Sequence, residues 1–269
     1  MTPPDDVYTH GHHESVLRSH EWRTAENSAG YLLDALRPGT RVLDVGCGPG
    51  TITADFARRV DPARVVGIDR AGEVLERAAV AARDAGVDNV EFAVGDVYAL
   101  DFPDASFDVV HAHQVLQHLT DPVNALREMR RVCAPEGAVA ARDSDYATFT
   151  WWPADRRLTR WLELYHDVAR SNDAEPDAGR RLLGWAHAAG FSAVDASAST
   201  WCFATPADRA WWGGLWADRV VASAFAEQAV ERKLATREQL DDLSAAWRAW
   251  SEAPDGWFAI VHGEIRARP

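Results

Sequence analysis

The sequence predicts a doubly wound α/β fold: a mostly parallel sheet with helical insertions over one end. Three observations predict it. From Arg41 to Asp145 short apolar runs alternate with amphipathic helical stretches, the pattern of a parallel sheet covered on both faces. The first run, RVLDV, ends in a turn with three glycines in five positions, Gly46, Gly48 and Gly50. Such a turn lets another group come close to bare backbone. Eleven of the twelve tryptophans lie between Trp151 and Trp257, so the alternating part is followed by one of different texture.

Each element follows in order. The strands are RVLDV, ARVVGID, NVEFAVGD, FDVVHAH and GAVAARDSD. Val74, Leu75, Ala78, Ala79 and Ala82 recur at helical spacing, with Gly86 placed to end that helix. Pro122 opens another, whose inner face is Leu126, Met129 and Val132. Leu158, Trp161, Leu162, Tyr165 and Val168 form one face of a later helix. EPDAGRRLLGWAHAAGF reads as a helix stopped at Gly190, and SAVDASASTWCFAT as a strand. Pro206 to Ala253 is helical again, with capping-box spacing at Thr236 and Gln239. The last strand is GWFAIVHGEI. Two late strands separated by a helical insertion predict an antiparallel hairpin at the sheet edge.

Composition bounds the function. A chain of 269 residues, 47% hydrophobic and 26% charged, is globular. Its net charge of −13 argues against nucleic acid or an anionic membrane as the main partner. Cys47, Cys133 and Cys202 are odd in number and dispersed, which fits a reducing compartment. The polar N-terminus and the absence of a long apolar run lead us to expect a soluble, cytoplasmic protein.

The glycine turn selects its ligand by what surrounds it. A phosphate-binding loop needs a Lys and a Ser or Thr after the last glycine, but Thr51 and Ile52 follow here. A dinucleotide turn prefers G-x-G-x-x-G, whereas this one is G-x-G-x-G. Asp44, two residues before Gly46, would repel a pyrophosphate and attract an ammonium group.

VLDVGCGPG resembles motif I of the class I S-adenosylmethionine (SAM)-dependent methyltransferases. VVGIDRA, VGDVYALDFPDASFDVV and HAHQVLQHLTDPVNALREMRRVCAPEGAVA resemble the segments that follow it in that family. The pattern is most similar to the ubiquinone/menaquinone C-methyltransferase-like branch. The resemblance covers roughly residues 30–145. It implies a Rossmann-like, seven-stranded sheet with an antiparallel last strand, and SAM as cofactor. Asp44 would help hold the SAM amino group, over a turn built by Gly46, Cys47, Gly48 and Thr51. Asp69, with Arg70 beside it, would take the ribose hydroxyls. Asp96 would accept from the adenine amino group, between Gly95 and Val97, and His113 would lie near the cofactor methyl. The chain then divides into an N-terminal helical cap (1–38), a SAM-binding core (39–146), a helical segment (147–190), strand six (191–204), a Trp-rich lid (205–255) and a C-terminal strand (256–269) within one domain. A SAM-binding protein without transferase activity and a nicotinamide-dependent oxidoreductase are the alternatives.

The candidate catalytic groups lie at strand ends. His113 follows strand four and can titrate near neutral pH; Asp145 stands near the end of strand five. Either could serve as base if the acceptor must lose a proton. Tyr8, His12 and Arg23 are candidate cover residues by the resemblance, and Tyr146 a candidate hydrogen-bonding partner for the acceptor. Trp151, Trp152 and Trp212 belong to an aromatic cluster expected above the strand ends, which suits a hydrophobic small molecule. His10, His12, His13 and Glu14 do not have the spacing of a metal site. Gly213 and Gly214 could be a lid hinge or a tight helix contact. Lid helices often pair subunits, so a homodimer is possible.

Overall fold

The computed structural model describes residues 6–11 and 13–269; His12 lies outside the described residues. Eight strands form one sheet: β1 (Val42–Val45), β2 (Val65–Asp69), β3 (Val90–Val94), β4 (Phe107–His113), β5 (Cys133–Ser144), β6 (Thr150–Trp152), β7 (Ala193–Phe203) and β8 (Trp257–Arg268). Five of them run parallel in the order β3-β2-β1-β4-β5. β8 lies antiparallel to β5, and β7 pairs along nearly all of β8. The expected late hairpin is therefore real.

The sheet has one strand more than the seven expected. β5 is interrupted by a tight turn at Tyr146–Thr148, and the chain resumes as β6 against Trp257–Ala259 of β8. A run of three residues carries no readable alternation, so nothing in TWW distinguishes it from loop.

Ten helices are seen among the described residues. α1 (Glu14–Glu21) and α2 (Ala25–Ser28) precede the sheet. α3 (Thr51–Val60), α4 (Gly72–Asp84) and α5 (Pro122–Val132) cross between parallel strands. α6 (Arg156–Arg170) and α7 (Leu182–Ala188) follow β6. α8 (Pro206–Ala222), α9 (Ala224–Glu231) and α10 (Arg237–Glu252) fill the loop between β7 and β8. One face of the sheet buries Phe56, Ala57 and Val60 of α3; the other buries Leu126 and Met129 of α5 with Leu182 and Ala186 of α7. A separate core joins α6, α8, α9 and α10 around Trp161, Trp216 and Trp247, all at most 1% exposed. Burying rings of that size removes about 150–250 Å² each from water, and Trp201, Phe203, Phe258 and Ile260 of β7 and β8 join this layer to the sheet.

Turn chemistry sets the element ends. Thr236 caps α10 by accepting from the Gln239 amide at 3.2 Å, and the Gln239 side chain accepts from the Thr236 amide at 2.8 Å. Gly86 and Gly190, with φ of +67° and +91°, close α4 and α7. The Gly213–Gly214 pair is no hinge. α8 runs through it unbroken, and a Cβ on Gly213 would stand 2.7 Å from Ser251 Cβ and 3.0 Å from the Trp247 carbonyl oxygen. Gly213 lets α8 and α10 touch along their backbones.

Candidate cofactor and acceptor site

The carboxyl ends of β1, β2, β4 and β5 stand in register, since Val45 pairs with Ile68 and Ala112, and Ala112 with Ala141. A cavity of about 430 Å³ opens there, where open parallel sheets hold their ligands. It runs from the glycine turn to the tryptophan layer.

The first half is a polar cradle. Gly46 and Gly48 have φ of +66° and +54°, and a Cβ on Gly46 would come within 2.4 Å of Val115 Cγ2. No L side chain fits that turn, so its backbone faces the cavity bare. Asp69 Oδ2 accepts from the Gly48 amide and Oδ1 from the Ala71 amide, each at 3.0 Å. A carboxylate has about four acceptor sites, so about two remain for a diol. Asp44 is held deeper, with Oδ1 2.8 Å from His111 Nδ1 and Oδ2 accepting from Thr53 Oγ1 at 2.6 Å. Asp96 accepts from the Tyr98 amide at 2.9 Å. Cys47, Thr51, Arg70, Gly95 and Val97 complete the wall. Three carboxylates in sheet order, beside bare backbone, fit a nucleoside with a cationic amine and sulfonium.

The second half is aromatic. Trp212 stacks on Phe203 at 4.3 Å, and Tyr146 on Tyr165 at 3.8 Å. Trp201, Trp216 and Phe149 close the wall, and Trp201 is fixed by donating Nε1–H to the Asn27 carbonyl at 2.7 Å. Tyr8 and Arg23 come over the opening from the N-terminal segment. Arg23 donates to Gln114 Oε1 at 2.6 Å, and Gln114 donates onward to Ser144 Oγ at 2.8 Å. His113 lies between the halves, 5% exposed, and neither ring nitrogen has a partner among the described residues. Burial, helped by the Arg23 and Arg142 charges, pushes its pKa well below the usual histidine range, so the ring is neutral at pH 7.

Three expected residues fall elsewhere. Asp145 does not line the cavity: both its oxygens accept from Arg180, at 2.6 and 2.7 Å. It is spent in an ion pair and is not available as a base. Trp151 stacks on Phe258 at 6.1 Å, and Trp152 is 56% exposed and donates to Asp255. Both sit on β6, whose turn away from β5 carries them off the rim.

A family model described as a methyltransferase domain matches residues 36–194, more than half of the chain. The chain belongs to the class I SAM-dependent methyltransferases. This methyltransferase is 36% identical to an uncharacterized methyltransferase of Schizosaccharomyces pombe, over 98% of both chains. It is 34% identical to the ubiquinone/menaquinone biosynthesis C-methyltransferase of Ectopseudomonas mendocina, over 54% of this chain and 62% of that one. The crystal structure of the YcgJ protein of Bacillus subtilis shares the fold with a TM-score of 0.58 at 23% identity, covering 89% of this chain and 96% of that one. The nicotinamide alternative is set aside by the family.

Sequence reasoning missed several lining residues of this methyltransferase. Trp201 hid in a run read only as a strand, and Arg219 in a stretch read only as helical. Gln114, held at φ +54° just after β4, has no pattern that would single it out. His10, set among residues weighed for a metal, instead faces the cavity with Nε2 3.0 Å from Tyr165 Oη and 3.3 Å from Tyr146 Oη.

Proposed function

We propose that this methyltransferase transfers the SAM methyl to an apolar or aromatic small molecule enclosed by Tyr146, Phe149, Trp201, Trp212 and Trp216. The observation that carries the reading is one continuous cavity whose carboxylate half meets its aromatic half at His113. SAM supplies an electrophilic methyl on a positive sulfonium. The residues of the chain align and enclose. Asp69 and Asp96 fix the nucleoside, and the turn at Gly46 and Gly48 with the buried Asp44 charge fixes the amino-acid end. The tryptophans hold the acceptor on the far side of the methyl and keep water out. Alignment of this kind can lower a barrier by about 7–11 kcal/mol.

His113 is the group that can take a proton from the acceptor. It is neutral, so its lone pair is free, and its free nitrogens await a partner. Its low pKa makes it a weak base, suited to a proton that leaves as the methyl arrives.

Calorimetric titration with S-adenosylhomocysteine tests the cofactor half. Asp69→Ala removes a charged acceptor worth about 2 kcal/mol and is expected to weaken binding roughly 30-fold; unchanged affinity refutes the ribose assignment. Once an acceptor is found by a gain of one methyl in mass, His113→Ala should slow turnover about 100-fold or more while SAM affinity changes little. Full activity in that variant removes His113 as the base.

A further inference from the structure

The aromatic half contains a cation with no counter-charge. Arg219, on α8, is 4% exposed and lines the cavity. Its Nη2 donates to the Ser15 carbonyl at 3.1 Å and to Ser19 Oγ at 2.9 Å, and its guanidinium lies 4.6 Å over the Trp216 ring. Those contacts hold it in place. Nε is buried without an acceptor. Among the described residues no carboxylate lies within 4 Å of it. Its neighbours instead are the phenols of Tyr8, Tyr146 and Tyr165 and the paired Arg18, which is taken by Asp218.

The fold treats another buried arginine beside the cavity differently. Arg142 is 1% exposed and is matched to Glu264 at 3.2 Å, with Ser199 as a further acceptor. Arg23 and Arg70 also line the cavity, Arg70 at the far, glycine-turn end; Arg23 has no carboxylate within 4 Å among the described residues but stands on the Gln114 side, at the end of β4. SAM brings one carboxylate. Even if that group takes Arg23, Arg219 is left with none. A desolvated guanidinium without an anion is costly, and its planar fork matches a carboxylate.

We propose that the methyl acceptor is an apolar molecule bearing a carboxylate, which docks on Arg219 inside the tryptophan chamber. The proposal rests on the reading of the aromatic half as the acceptor site. The rings take the body of the molecule, the guanidinium takes its anionic end, and the distance between the two fixes which atom meets the methyl. Arg219 thereby sets specificity against neutral analogues.

The test uses the full chain saturated with S-adenosylhomocysteine, titrated with 2-naphthoate and with its methyl ester. The acid is expected to bind at least about tenfold tighter than the ester, a usual range for a charge-assisted contact. Arg219→Met is expected to erase that preference while leaving affinity for the ester and for S-adenosylhomocysteine. An ester that binds as tightly as the acid overturns the proposal. So does failure of both at millimolar concentration, or a preference that survives in Arg219→Met. If Arg219→Met no longer binds S-adenosylhomocysteine, Arg219→Lys decides: a preference reduced severalfold supports the proposal and an unchanged one overturns it. Failure of the unmodified chain to bind S-adenosylhomocysteine would instead sink the cofactor reading, and this proposal with it.

Discussion

His118 illustrates how the residues around the cavity are tuned. Its ring is half-buried in the cavity wall, with Nε2 2.9 Å from Gln117 Nε2, and desolvation followed by the Arg23 charge lowers its pKa to about 3. His10, His113 and His262 are shifted the same way by burial. Between pH 6.5 and about 3 the unfolded chain protonates at His118 while the folded chain does not. Stability is therefore present above pH 6.5 and is lost as pH falls, by up to about 1.4 kcal/mol per pH unit for each such histidine. Asp143 works against this. Burial raises its pKa to about 7, so its contribution falls as pH rises from the unfolded carboxylate value toward 7. Subtracting a single-site variant isolates one histidine. From pH 7 to 5.5, urea unfolding should show the parent losing about 1 kcal/mol more than His118→Gln does; equal losses would refute the neutral ring. At this scale the carboxylates of the first three strand ends were readable, as were Arg23 and Arg70, but Arg219 was not. Asp44, Asp69 and Asp96 stand at strand ends, where alternation of strands and helices already locates the rim. Arg219 reaches the cavity only through the folding of a long insertion, and Trp201 only through the pairing of β7 with β8, which no local pattern encodes. Asp145 misled for the same reason, since Arg180, its partner, lies 35 residues away.

α8 makes the same point for elements. Its existence is plain from the chain, because Thr205 and Pro206 open it and the capping box with Asp208 forms as its spacing implies. The purpose of its glycines is not, because the contact that needs Gly213 comes from α10. Two neighbouring substitutions separate propensity from packing. Gly213→Ala should destabilise by about 1–3 kcal/mol through overpacking against Ser251 and Trp247. Gly214→Ala meets nothing within 4 Å and should stabilise by up to about 1 kcal/mol. Chemical denaturation of the two variants reads the difference; similar changes in both would mean that α8 and α10 do not touch there. The strands were legible wherever they ran for four residues or more with clear alternation or burial. β6, with three residues, was not, and its absence from the expected sheet is what put Trp151 and Trp152 in the wrong place.

On the scale of the whole molecule, two cores of different origin meet over one opening. The parallel sheet supplies the carboxylates, and the rings come from the turn after β5 (Tyr146, Phe149), from β7 (Trp201) and from α8 (Trp212, Trp216); the N-terminal segment crosses both. Trp201 Nε1–H on the Asn27 carbonyl and Arg219 on α1 tie that segment down. Among the described residues no helix is long and apolar enough to cross a membrane. The most direct measurement of the account is a crystal structure with S-adenosylhomocysteine. It should show the ribose on Asp69, the adenine beside Asp96 and Val97, and the sulfur turned toward His113 and Trp201. A nucleoside bound away from Asp69, or a sulfur facing away from the tryptophan chamber, would contradict it.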